Sequence, residues 1–161
     1  MRSEPSVFTC SLPTLEATQQ VGQCLARVLQ EGDFVVLRGD LGTGKTTLAQ
    51  AILSCWGIED VLSPTFTLVH SYHAEFPIHH ADLYRLDREE EVWDIGWEDF
   101  LSGTSLVLVE WLDKFPELYP ECYIAVDITY EQGIRRMCIT NHGAKYAHFI
   151  KELSNCVAVS H

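Results

Sequence analysis

Eight residues constrain this chain more than all the others: Gly39-Asp40-Leu41-Gly42-Thr43-Gly44-Lys45-Thr46, a match to the spacing G-x4-G-K-[ST]. A chance match somewhere in a chain of this length has a probability of roughly half a per cent. The flanks narrow the reading further. Phe34-Val35-Val36-Leu37 is a short continuous apolar run, the pattern of a strand buried on both faces. From Lys45 onward, Leu48, Ile52 and Trp56 recur at helical spacing until Gly57. Strand, glycine-rich loop and helix in that order make a cradle for phosphate. Glycines let successive backbone N–H groups turn inward, and the helix N-terminus adds a favourable dipole. In such a loop Lys45 sets a point charge on the β- and γ-phosphates and the Thr46 hydroxyl ligates Mg²⁺. Gly42, Thr43, Gly44, Lys45, Thr46 and Thr47 are therefore the nucleotide-binding candidates, with ATP and Mg²⁺ as the expected ligands. The bland alternative is a glycine-rich turn that binds nothing.

Binding phosphate is not hydrolysing it; turnover also needs a carboxylate to hold the metal and orient water. Leu106-Val107-Leu108-Val109-Glu110 is an apolar run ending in an acid, and burying that acid is expensive unless a cation or donors meet it. Glu110 is thus a candidate metal ligand and catalytic group, although aspartate is commoner in this role; the competing reading is a charge marking the strand's exit to solvent. Asp82 is the second catalytic candidate. In an extended His80-Ala81-Asp82-Leu83-Tyr84 segment, His80, Asp82 and Tyr84 share one face, which suits a metal's outer shell or a water. A zinc site from His79, His80 and Asp82 is an alternative that lacks further ligands. Ser63-Pro64-Thr65-Phe66-Thr67 lies where a hydroxyl could sense the γ-phosphate, or is simply a proline-containing turn.

Along the chain, residues 7–10 suggest an edge strand, and Thr14 a cap for a helix ending near Gly32, with Val21, Cys24, Leu25, Val28 and Leu29 facing the core. Strand-like stretches cover 65–72, 78–84 and 105–110. Asp87 opens an acid-rich helical region running toward Leu101. Cys122, Ile124, Val126 and Ile128 alternate with more polar residues, and Gly133 allows a turn into 134–140, a hairpin. Tyr146, Phe149, Ile150 and Leu153 stripe a last helix. The expected fold class is α/β, a single domain over 1–161 with a mixed sheet and an antiparallel C-terminal portion.

Charge sets the partners. A net charge of −12, with no basic run beyond Arg135-Arg136, argues against autonomous binding to DNA or tRNA, although an acidic protein can dock on a basic partner. No apolar run reaches membrane-spanning length and the N-terminus carries no apolar secretion signal, so a cytoplasmic location is expected. The six cysteines form no CxxC pair and are expected as reduced core thiols.

Taken in order, 39–47, Ser63-Pro64-Thr65-Phe66-Thr67-Leu68-Val69, His80-Ala81-Asp82-Leu83-Tyr84-Arg85-Leu86 and Glu110-Trp111 resemble the TsaE family of bacterial tRNA threonylcarbamoyladenosine biosynthesis over about residues 12–140. The resemblance implies a three-layer P-loop NTPase fold and an ATPase that is weak alone. It also implies partners of the TsaD and TsaB type, through which tRNA would be reached only indirectly. On it, Thr46 and Glu110 are magnesium ligands, Asp82 is needed for turnover, Thr65 belongs to a switch loop, and Trp111 lies near the nucleotide. The chain departs from the family at Ala81, where an aromatic is usual, and at Leu112, where proline is common. It departs again at Ile134, which stands where the family often has arginine. No hairpin residue is therefore assigned to the phosphates.

Three rivals share parts of this pattern. A small-molecule kinase would need an arginine-rich lid, for which only Arg85, Lys114, Arg135 and Arg136 are available. A GTPase would need an Asn-Lys-x-Asp motif, which is absent. A nucleotide-gated binding module would bind ATP without needing Glu110.

Overall fold

The computed structural model describes residues 7–40, 42–58 and 68–159. Among the described residues seven strands form one mixed sheet. In chain order they are β1 (Val7–Leu12), β2 (Phe34–Arg38), β3 (Val69–His73), β4 (Pro77–Asp82), β5 (Leu106–Glu110), β6 (Tyr123–Glu131) and β7 (Ile134–His142). The order across the sheet is β1-β7-β6-β2-β5-β4-β3. β2 is central and runs parallel to both β5 and β6, and β4 runs parallel to β5. The antiparallel pairs are β6–β7, β7–β1 and β3–β4. The expected antiparallel C-terminal portion is present, extended by the N-terminal strand on one side, with a second antiparallel pair at the opposite edge.

Alternation along the central strands makes two cores. Val35 and Leu37 of β2 and Leu106 and Leu108 of β5 face helices α1 (Leu15–Val28), α2 (Lys45–Ser54) and α5 (Phe149–Val159). Phe34, Val36, Val107 and Val109 face the other way, against α3 (Glu89–Asp94), α4 (Trp97–Phe100) and the turn Leu112–Lys114. Helices on both faces explain why these strands are continuously apolar. Burying each such side chain contributes about 1.5–3 kcal/mol.

Local chemistry sets the ends of the elements. The Thr14 hydroxyl accepts from the Ala17 N–H at 3.1 Å and caps α1. The helix stops at Val28, before the expected Gly32, because the Asp33 carboxylate accepts from the Gln30 N–H at 2.8 Å and a tight turn takes over. The acid-rich region expected as one helix is two, broken at Gly96 with φ 94°. Its cap is the Glu91 side chain, which accepts from the N–H groups of Asp87 and Arg88, rather than Asp87 itself. Gln132 (φ 52°) and Gly133 (φ 80°) make the tight β6–β7 turn. Tyr146 precedes α5 on the turn Ala144–Tyr146, where its hydroxyl accepts from the Phe34 N–H at 3.0 Å.

The cysteines differ from expectation in one pair. Cys24 of α1 and Cys156 of α5 are joined as a disulfide, while Cys10, Cys55, Cys122 and Cys138 are free. The pair lies 132 residues apart in sequence, and only the packing of α5 on α1 brings it together. Among the described residues no helix is long and apolar enough to cross a membrane.

Candidate functional site

The 39–46 segment leaves the C-terminal end of β2 and enters α2. Three of its glycines have positive φ, at 149°, 80° and 105° for Gly39, Gly42 and Gly44. Gly39 is required for a second reason: a Cβ there would lie 2.5 Å from the Ile128 carbonyl of β6. The Thr43 hydroxyl donates to the Asp40 carbonyl at 2.9 Å and braces the loop. Gly44 caps α2 without a side chain, so the capping position itself offers no acceptor to the first N–H groups of that helix. Thr46 and Thr47 stand half-buried in its first turn.

Lys45 is buried, donates to the Gly39 carbonyl, and lies 3.8 Å from the centroid of the Trp111 ring. Burial lowers its ammonium pKa, opposed chiefly by the negative charge of Glu110 and Asp82 and further by Asp113 and Asp40. Trp111 reaches this position because its φ of 68° turns the chain sharply after β5. Tyr84 packs against the indole at 4.9 Å.

The two carboxylates stand together. Asp82 ends β4, Glu110 ends β5, and they are direct partners in the register of these parallel strands. Exposure is 4% for Asp82 and 2% for Glu110, so Glu110 does not mark an exit to solvent. Asp82 Oδ1 accepts from the Tyr84 N–H at 2.9 Å, a turn that carries Tyr84 off the strand face it was expected to share. His80 is fully buried, and its Nε2 lies 2.7 Å from Glu110 Oε2. His79 points the opposite way, stacking on Phe100 with its Nδ1 2.8 Å from the Ser71 hydroxyl. Strand alternation thus separates the histidines of the zinc alternative, and no group of three His, Cys, Asp or Glu suited to a metal occurs among the described residues. What the structure does bring together is the carboxylates of Asp82 and Glu110 beside the Lys45 ammonium, an oxygen donor set suited to a hard cation such as Mg²⁺, which takes few protein ligands and keeps its waters.

From sequence, Arg135 was a candidate only for the lid of the kinase alternative, with no phosphate role assigned. It alternates along β7 with Met137 and Ile139, which pack in the core with α1, α2 and α5. Its Nε would lie 3.7 Å from a Cβ on Gly44. It also lines a cleft of about 590 Å³ with Gly39, Asp40, Gly42, Thr43 and Tyr130, and a second of about 240 Å³ with Thr18, Gly44 and Thr47. Its alternation with Met137 and Ile139 was the available signal. Thr65 and the rest of the 63–67 segment lie outside the described residues.

This arrangement can be set beside known proteins. The family profile described as "Threonylcarbamoyl adenosine biosynthesis protein TsaE" matches residues 12–138. The chain belongs to the TsaE family. The matched span holds the 39–46 loop, His80, Asp82, Glu110, Trp111 and Arg135. A TsaE protein of Rickettsia conorii, named for tRNA threonylcarbamoyladenosine biosynthesis, is 38% identical over 137 residues, covering 82% of this chain and 78% of the relative. One from a Nostoc species is 39% identical over 131 residues, covering 78% and 80%. The crystal structure of YdiB from Bacillus subtilus superposes with a TM-score of 0.81 at 25% identity, covering 94% of this chain and 97% of that one. The TsaE assignment rests on the family profile and these relatives, and the likeness to YdiB shows a shared fold.

Proposed function

We propose that this TsaE family member is a magnesium-dependent ATPase with a P-loop NTPase fold, weak alone, that acts in the cytoplasm with TsaD- and TsaB-like partners in threonylcarbamoylation of adenosine 37 of tRNA. The observation that carries the reading is the buried Asp82–Glu110 pair at aligned strand ends beside Lys45. Two enclosed carboxylates cost several kcal/mol unless cations or hydrogen-bond donors meet them. A divalent cation held beside them would add positive charge at that point, while Lys45 and the loop N–H groups would meet the phosphates. The N–H groups of Gly42, Thr43, Gly44, Lys45, Thr46 and Thr47 cradle the phosphates, and Lys45 exchanges the Gly39 carbonyl for the β- and γ-phosphate oxygens. Thr46 and Glu110 would hold Mg²⁺, which would supply charge neutralisation for the transferred phosphoryl group. Asp82 orients the attacking water, Trp111 holds the lysine until the nucleotide takes it over, and Thr65 reads the γ-phosphate. Arg135 brings a cation to the loop from the hairpin side.

A surface of net charge −12 leaves tRNA to be held by the partners. The deciding experiment reconstitutes the protein with a TsaD and a TsaB protein and follows tRNA modification. Wild type is expected to support repeated rounds that stop when Glu110→Ala replaces it. Full modification by Glu110→Ala would mean that the chain acts as a nucleotide-gated binding module instead.

A further inference from the structure

We propose that His80 is the positioning residue for the Glu110 carboxylate, holding one of its oxygens so that the other is presented to the divalent cation. This rests on the reading of Glu110 as a metal ligand and adds how that ligand is oriented.

The argument begins with register. His80 pairs with Leu108 and Asp82 with Glu110, so His80 and Glu110 are diagonal neighbours on one face of adjacent strands. Both side chains are enclosed, at 0% and 3% exposure, and the Nε2–Oε2 distance is 2.7 Å, that of a charge-assisted hydrogen bond. The other ring nitrogen, Nδ1, is buried and has no hydrogen-bond partner among the described residues. An orphaned buried N–H is costly, whereas a lone pair is a lesser loss, so the proton belongs on Nε2 and is donated to Glu110. The ring is thus satisfied at one atom alone, the one that touches the carboxylate.

The consequence is specific. A glutamate has three torsions, and an unrestrained carboxylate would sample several orientations before meeting a cation. The Nε2–H bond selects one and leaves Oε1 as the oxygen that this bond does not use. Partners of this kind typically change metal affinity ten- to a hundredfold when removed, without touching the metal. Histidine also suits the distance: its Nε2 stands at the far end of a rigid ring, so the carboxylate is held at the reach of that ring.

The test separates a positioning role from a structural one. His80→Gln keeps an amide donor near the Nε2 position, whereas His80→Asn keeps a polar amide that stops at the Nδ1 position and cannot reach Glu110. Mn²⁺ binding to the full chain, with the non-hydrolysable analogue AMPPNP bound, is followed by electron paramagnetic resonance. Nucleotide binding in EDTA and thermal stability are measured alongside. We expect His80→Gln to hold Mn²⁺ within about threefold of wild type and His80→Asn to lose about ten- to a hundredfold, with metal-free nucleotide binding equal in both. Equal Mn²⁺ affinity in the Gln and Asn variants would overturn the positioning role. A Glu110→Ala arm isolates the underlying reading. If it binds Mn²⁺ as wild type does, Glu110 is not a ligand and both claims fail; if it loses affinity while Gln and Asn stay equal, only the role of His80 fails.

Discussion

The Lys45 ammonium lies 3.8 Å from the centre of the Trp111 indole while donating to the Gly39 carbonyl. One side chain therefore links the start of α2, the end of β2 and the turn after β5. A cation over an indole is worth about 0.5–2 kcal/mol, less than a contact with phosphate in a desolvated site, so nucleotide binding should draw the ammonium away. Trp111 emission is predicted to change on adding ATP, and Trp111→Phe to abolish most of the change. Retention of the full signal by Trp111→Phe would place its origin at Trp56, Trp93 or Trp97 and break the proposed link.

The helix that carries Lys45 is held by an unusually close neighbour. A Cβ on Gly22 of α1 would fall 2.5 Å from the Ala51 Cβ of α2, and 3.2 Å from its carbonyl carbon. Gly22→Ala should destabilise the protein by about 1–3 kcal/mol in urea unfolding, the usual range for overpacking. Adding Ala51→Gly should recover part of that loss. An unchanged midpoint for Gly22→Ala would mean that the two helices are not in this contact.

Burial on β1 pushes the Cys10 thiol up to about 11 from 9.0. The unfolded chain therefore loses this proton at lower pH than the folded protein. Between roughly pH 9 and 11 the folded state binds more protons, so this residue's contribution to stability falls as pH rises. Cys10→Ser, which does not titrate there, should flatten that part of the alkaline limb in denaturation curves taken against pH. A limb of unchanged slope would contradict the assigned burial.

What could be read from the sequence, and what could not, divides by range. The glycine-rich loop, its strand and its helix were legible because consecutive residues encode them: a four-residue apolar run, three glycines at positive φ, and apolar positions at helical spacing. Glu110 was legible as an acid closing an apolar strand. The hydrogen bond between His80 and Glu110 was not, because it depends on which strands become neighbours and in what register. The Cys24–Cys156 pairing was hidden for the same reason, since it requires α5 to pack on α1. Arg135 is an intermediate case. Counting positions from Gly133 assigned it no phosphate role, whereas alternation with Met137 and Ile139 places it on the side of the loop. The early end of α1 was misread because Gly32 looked like the stop signal, when the Asp33 carboxylate had already claimed the Gln30 N–H.

The central claim is that the chain hydrolyses ATP through a carboxylate-held metal, and phosphate release in the presence of the reconstituted partners tests it most directly. With Mg²⁺ present, Glu110→Ala should bind ATP within a few-fold of wild type and release phosphate at least about 10²-fold more slowly, the several kcal/mol expected when metal stabilisation of the transition state is lost. Phosphate release by Glu110→Ala at the wild-type rate would contradict the account.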